Sequence, residues 1–126
     1  MLKQTLSDHD IVARVNIIAY ALAKFDLMVP ELLGYTTYKS FYRKIEELGL
    51  VRSVHAMKNK RDHLDPFFTD KPNRRSGWHQ NVDDNFQRFN SLDTILGCLS
   101  VEELASVVRG IILHCENIKK VDIVGS

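Results

Sequence analysis

The chain has 126 residues, a length typical of one domain built around one hydrophobic core. Hydrophobic residues make up 44% of it and charged residues 26%, proportions typical of folded soluble proteins rather than of disordered ones. Its apolar runs are much shorter than the ~20 residues that a membrane-spanning helix needs. The first residues also lack the apolar region and cleavage site of a secretory signal. The sequence therefore predicts a single domain over residues 1–126, cytoplasmic and without a membrane partner.

The formal net charge is only +1, but the charge is distributed unevenly. Residues 52–75 carry seven cations and three anions, a net charge of +4, which leaves −3 for the rest of the chain. A basic segment on a slightly acidic body favours an anionic partner. A solvated helix face followed by a loop would have the same composition without any partner.

Cys98 and Cys115 lie 17 positions apart, a spacing that matches neither a zinc knuckle nor a disulfide framework. The acidic and histidine side chains show no recognised metal-ligand spacing, and the glycines are isolated rather than grouped in a phosphate-binding loop. We therefore predict no cofactor, no metal site and no catalytic group, and favour a protein that is not an enzyme.

The first half of the chain shows four helical patterns. Ser7 is a suitable N-cap for the first helix, whose apolar side chains recur at spacings of three and four. Gly34 and Gly49 stand where the second and third patterns end. The predicted helices cover residues 8–25, 30–34, 38–48 and 53–66.

The second half is less regular. Turn-forming residues between positions 69 and 80 indicate either a long loop or a small hairpin, and periodicity does not resolve residues 81–90. We expect a short helix over residues 92–99, capped by Ser91. Ser100 and Glu103 form a capping box that begins a last long helix. The tail, residues 121–124, alternates in hydrophobicity as a short strand does. The predicted fold class is a mainly α, compact helical bundle.

The helices on either side of Gly49 resemble a helix-turn-helix unit, with residues 69–80 as a candidate wing. The link from Gly49 to Val54 is longer than the standard turn. Asp62 and Asp65 would repel phosphate if they faced it, and Arg61 lies on or beside the apolar stripe of its helix, so that its orientation stays open. The candidate nucleic-acid-binding residues, for base edges and for phosphates, are Arg52, Lys58, Asn59, Lys60, Arg61, Arg74 and Arg75.

The run from Met57 to Phe68, with its Lys-Asn-x-Arg-Asp pattern and Asp-Pro-aromatic stop, is followed by a basic Gly-Trp turn from Arg74 to His79. Together these segments resemble helix-turn-helix-like domains of bacterial restriction and defence proteins. The resemblance covers at most half of the chain. It implies a non-catalytic module that recognises nucleic acid, duplex DNA in particular, in a defence, restriction or regulatory system. The chain would then work alone or supply recognition to a separate effector subunit, and a homodimer is compatible with either.

Three alternatives remain open at this stage. Asn59, Arg61 and Asp62 can hydrogen-bond within the fold and have no role in recognition. Arg109 and His114, five positions apart, resemble the arginine and histidine of small helical RNases, in which imidazole moves a proton and guanidinium stabilises the phosphorane. The chain can instead be a protein-interaction subunit that uses an aromatic-rich segment, Tyr35, Tyr38, Phe41 and Tyr42.

Overall fold

The computed structural model describes residues 6–68 and 82–125, with side chains described for residues 6–68 and 83–119. Every element in these ranges is helical, which confirms the predicted mainly α class. The hairpin or wing predicted around residues 69–80 lies outside the described residues. The elements are α1 (Asp8–Phe25), α2 (Met28–Leu32), α3 (Tyr38–Glu47), α4 (Val54–Leu64), a 3-10 turn (Asp65–Phe67), α5 (Val82–Leu96) and α6 (Val101–Gly125).

Side-chain caps begin the helices of the first half, as the sequence predicts. The Ser7 hydroxyl accepts a hydrogen bond from the Asp10 amide at 3.1 Å, and the Ser53 hydroxyl accepts one from the Ala56 amide at 3.0 Å. Each bond satisfies one of the amides that a helix leaves without a partner in its first turn. Gly49 follows α3 with φ +80°, a backbone conformation that glycine adopts without steric cost.

The core forms around α1, which packs against α2, α4, α5 and α6. Its side chains from Ile18 to Ala23 are all fully or almost fully buried. Tyr20 donates a hydrogen bond to the Asp93 carboxylate of α5 at 2.6 Å, and its ring lies 5.3 Å from the ring of Phe68. Burial and Asp93 both raise the pKa of Tyr20, so the phenol stays protonated and keeps α5 joined to α1.

Two predictions for the second half are wrong. Ser91 does not cap a helix, because α5 begins at Val82 and Ser91 lies in its interior. The apolar side chains of α5 that pack against the core recur at spacings of three and four, at Phe89, Leu92 and Leu96. This helical period was hidden in the sequence because residues 81–90 are mostly polar. The tail around residues 121–124 is not a strand but the last turns of α6. Four alternating residues cannot distinguish a strand from a helix that is already under way.

The capping box at the start of α6 is confirmed. The Glu103 amide donates to the Ser100 hydroxyl at 3.1 Å, and the Ser100 amide donates to the Glu103 carboxylate at 2.9 Å. These bonds lower the pKa of the Glu103 carboxyl. None of the helices in the described ranges combines the length and the apolar character needed to cross a bilayer.

Ser53→Ala tests the cap of α4. Loss of the bond to the Ala56 amide should lower the free energy of unfolding by about 1 kcal/mol, measured by urea denaturation with circular dichroism at 222 nm. Ser106→Ala is the matched control, since Ser106 is an exposed serine in the interior of α6, where alanine is the better helix former. Equal stability of the two variants would contradict the assigned cap.

Candidate nucleic-acid interface

The orientation of α4 decides which of the predicted site residues reach the surface. Met57, Arg61 and Leu64 form its buried stripe, and the helix packs against α1 and α3. At about 100° per residue, the opposite, outer face carries His55, Asn59 and Asp62. Lys58 and Lys60 lie on either side of that face.

The structure buries Arg61, contrary to its predicted place at a nucleic-acid surface. Only 4% of the residue is exposed. One terminal nitrogen donates to the Tyr42 hydroxyl at 2.6 Å, and the other donates to the Asp62 carboxylate at 3.2 Å. The guanidinium carbon lies 4.8 Å from the centre of the Tyr38 ring, in cation–π contact. Arg61 therefore joins α4 to α3 and is not available to a base edge.

The two carboxylates that counted against DNA contact have internal roles as well. Asp65 is fully buried in the 3-10 turn, so it does not face a ligand on the surface. The side chain of Asp62 is 17% exposed and lies 3.2 Å from Arg61 and 4.0 Å from Lys58. Because two cations surround this carboxylate, its repulsion of an approaching phosphate is largely offset.

The other predicted site residues that the structure describes are accessible to different degrees. The Lys58 side chain is 53% exposed, and Arg52 is exposed just before α4. Asn59 and Lys60 are half-buried. Lys58 and Lys60 point about 160° apart around the helix axis, so a single flat ligand cannot contact both equally. Arg74 and Arg75 lie outside the described residues.

One cation near α4 was missed by the sequence analysis. Arg88 of α5 donates to the amide oxygen of the buried Asn85 at 3.2 Å, and its charge lowers the pKa of Lys60, whose partial burial is the larger cause. Burial is the largest cause of the lowered pKa of His63. The charges of Lys60 and Arg88 lower that pKa further, and the charge of Asp62 raises it. Lys60 and Arg88 thus bring two cations together between α4 and α5, beside a His63 that their charges and its burial keep neutral at pH 7. Helical period alone had not placed α5 beside α4, so this pair of cations had no signal in the sequence.

The residues of the alternative hypotheses lie elsewhere. Phe41 and Tyr42 are buried and Tyr35 and Tyr38 are half-buried, with the Tyr35 and Phe41 rings 5.3 Å apart. This aromatic segment therefore packs mostly inside the domain.

Arg109 and His114, the predicted RNase pair, are both exposed on α6. Five residues of helix rotate them about 140° apart. The Arg109 guanidinium donates to the Leu32 carbonyl of α2 at 3.2 Å, a contact that holds α6 against α2. These positions give the pair no shared site for a phosphate within α6.

Comparison of the chain with protein-family models, with characterised proteins and with solved structures finds no match. The described residues define the class of the protein as an all-helical domain. Among them, no three histidine, cysteine or acidic side chains come together as a metal site would require. The functional argument therefore depends on the geometry of α4 and its neighbours.

Arg61→Ala tests the structural role of the buried guanidinium. The change leaves the Tyr42 hydroxyl and the Asp62 carboxylate without their shared donor and opens a cavity, so we expect a loss of about 3 kcal/mol in the free energy of unfolding. Lys58→Ala, which removes an exposed cation from the same helix, should cost less than about 0.5 kcal/mol. Urea denaturation measures both, and an Arg61→Ala variant as stable as Lys58→Ala would exclude this role.

The lowered pKa of His63 predicts a dependence of stability on pH. In the unfolded chain His63 takes up a proton near its ordinary pKa of about 6.5, whereas in the folded protein it does so only at lower pH. The unfolded state therefore binds more protons as the pH falls below about 6.5, and stability declines until the pH passes the folded pKa. The difference in unfolding free energy between wild type and His63→Gln should change over this interval and stay constant above pH 7.5. A constant difference from pH 7.5 to 5 would contradict the shift.

Proposed function

We propose that the protein recognises nucleic acid, duplex DNA in particular, without catalysing a reaction on it. The exposed side of α4 makes the contact. Arg52 and Lys58 neutralise phosphates, with Lys60 at the edge of the same surface, and Asn59 offers the paired amide donor and acceptor that match an adenine edge. The resemblance to restriction and defence domains adds the expectation that recognition serves such a system.

One observation carries this proposal. Arg52 and Lys58 remain exposed along α4, while Asp65 is buried and Asp62 is held by Arg61 and Lys58. The segment from Arg52 to Asp65 therefore presents positive charge to the outside although its sequence contains two aspartates. A surface of this kind attracts a polyanion, and binding releases the counterions condensed on that polyanion.

The internal bonds of Arg61 support the same function indirectly. Its bonds to Tyr42 of α3 and to Asp62 hold α4 at a constant angle to α3. A rigid helix loses little conformational entropy when it binds. Arg61 is thus a positioning residue in this proposal, and the contacts belong to its neighbours.

The test is fluorescence anisotropy of a labelled duplex titrated with the protein at several salt concentrations. The logarithm of the affinity should fall linearly with the logarithm of salt concentration. Arg52→Ala/Lys58→Ala should weaken binding at least tenfold at low salt. It should also reduce the steepness of the salt dependence by about two, roughly one for each phosphate contact removed.

The matched control is Lys39→Ala/Arg43→Ala, which removes the same charge from two exposed positions on α3. This control should keep most of the affinity of the wild type and the same salt dependence. Absence of binding at low salt would refute the proposed function. Equal weakening by both double variants would assign binding to net charge rather than to α4.

A further inference from the structure

Helix α1 carries a second surface, distinct from the outer face of α4. One groove of about 230 Å³ lies where the start of α1 meets α4 and the residues before it. Another of about 430 Å³ lies between α1 and α5. Asn16 lines both grooves, so they adjoin at this residue. We call the two grooves together the α1 valley.

The α1 valley is largely apolar and open to solvent. Val12 on its α4 side is 51% exposed, and Ile95 on its α5 side is 73% exposed. Ile17 and Leu92 continue the apolar lining between α1 and α5. Adjoining apolar side chains at this level of exposure, with charged groups among them, mark a surface that another molecule covers.

The charges of the α1 valley have one sign. Arg52, Lys60 and Arg88 line it, and no described aspartate or glutamate does. Partial burial and, after it, the charge of Arg88 lower the pKa of Lys60, so these two cations are near enough to interact. The hydrogen bond from Arg88 to Asn85 holds the guanidinium in place. A carboxylate bound between these two cations would relieve their repulsion, so the surface is complementary to an acidic ligand.

We propose that the α1 valley binds an amphipathic, acidic helix of a partner protein. The carboxylates of the bound helix pair with Lys60 and Arg88, and the apolar side chains of that helix cover Val12 and Ile95. Such a segment offers both chemistries on one face, with apolar residues at spacings of three and four and acidic residues beside them. Arg52 and Lys60 border both this surface and the proposed nucleic-acid contact, whereas Arg88 and Ile95 belong to the α1 valley alone and Lys58 to the nucleic-acid contact alone.

The lining favours a peptide over a nucleic acid. None of the described residues that line the two grooves is aromatic, so an unpaired base finds no ring on which to stack. The phosphates of a duplex would meet the cations but would leave the aliphatic side chains uncovered. A helix with leucine and glutamate on one face satisfies both parts of the surface.

The experiment is a selection of helical 16-residue peptides from a displayed library with randomised positions, performed on the intact chain. Enriched peptides should combine acidic and apolar residues at helical spacing. Synthetic copies should bind the wild type in fluorescence anisotropy. Binding should weaken at least tenfold with Lys60→Gln/Arg88→Gln, and to a similar extent with Ile95→Ser, a change at a mostly exposed side chain that leaves the core intact.

Two controls keep the result specific. Leu113→Ser removes an exposed apolar side chain from α6 (52% exposed) and should leave peptide binding unchanged. Lys58→Ala, which removes a cation of the proposed DNA contact that does not line the α1 valley, should weaken DNA binding and leave peptide binding unchanged, so the failure of one proposal is distinguishable from the failure of the other.

Three outcomes would overturn the inference. The first is a selection that enriches no peptide, or only peptides without acidic residues. The second is peptide binding that is indifferent to Lys60→Gln/Arg88→Gln and to Ile95→Ser. The third is a different occupant, shown by a DNA duplex whose binding depends on Ile95, or by self-association of the wild type that Ile95→Ser abolishes.

Discussion

The burial of Arg61 determines how the rest of the surface is arranged. A guanidinium removed from water needs both charge compensation and hydrogen-bond acceptors, and the domain supplies them with the Asp62 carboxylate, the Tyr42 hydroxyl and the face of the Tyr38 ring. Since these groups come from α3 and α4, the contact sets the rotation of α4 about its own axis. That rotation turns Asn59 outward and places Lys58 and Lys60 on either side of the outer face.

The same contact explains how a helix with mixed charges can present a basic surface. Asp62 is the partner of Arg61, so one anion and one cation of α4 compensate each other at the junction with α3. Asp65 is buried in the turn that follows. The cations that remain at the surface are Arg52, Lys58 and Lys60, which are not members of the Arg61–Asp62 pair. The number of charged residues in a helix therefore does not give the electrostatic potential at its surface until it is known which of them are paired within the fold.

Helix α1 separates two surfaces with different chemistry. The outer face of α4 is polar and basic, and suits a phosphate backbone. The α1 valley between α4 and α5 is largely apolar and is also lined by three cations, and it suits a protein segment with both apolar and acidic side chains. Lys60 lies at the boundary of the two surfaces because its position on α4 is next to the buried stripe. Lys58 belongs to the outer face of α4 alone, and Arg88 and Ile95 belong to the α1 valley alone, so changes at these three positions separate the two surfaces.

Local signals in the sequence were sufficient for most of the helices. Ser7, Ser53 and Ser100 predicted helix starts through their capping chemistry, and Gly49 predicted an end through its backbone freedom, because these effects depend only on neighbouring residues. The start of α5 had no clear local signal, and the four residues of the tail were too few to separate a strand from the continuation of α6. The orientation of Arg61, the burial of Asp65 and the approach of Arg88 to Lys60 were decided by tertiary structure alone. The physical reason is that burial and electrostatic interaction depend on distances between helices far apart in the chain, whereas capping and periodicity act within one or two turns.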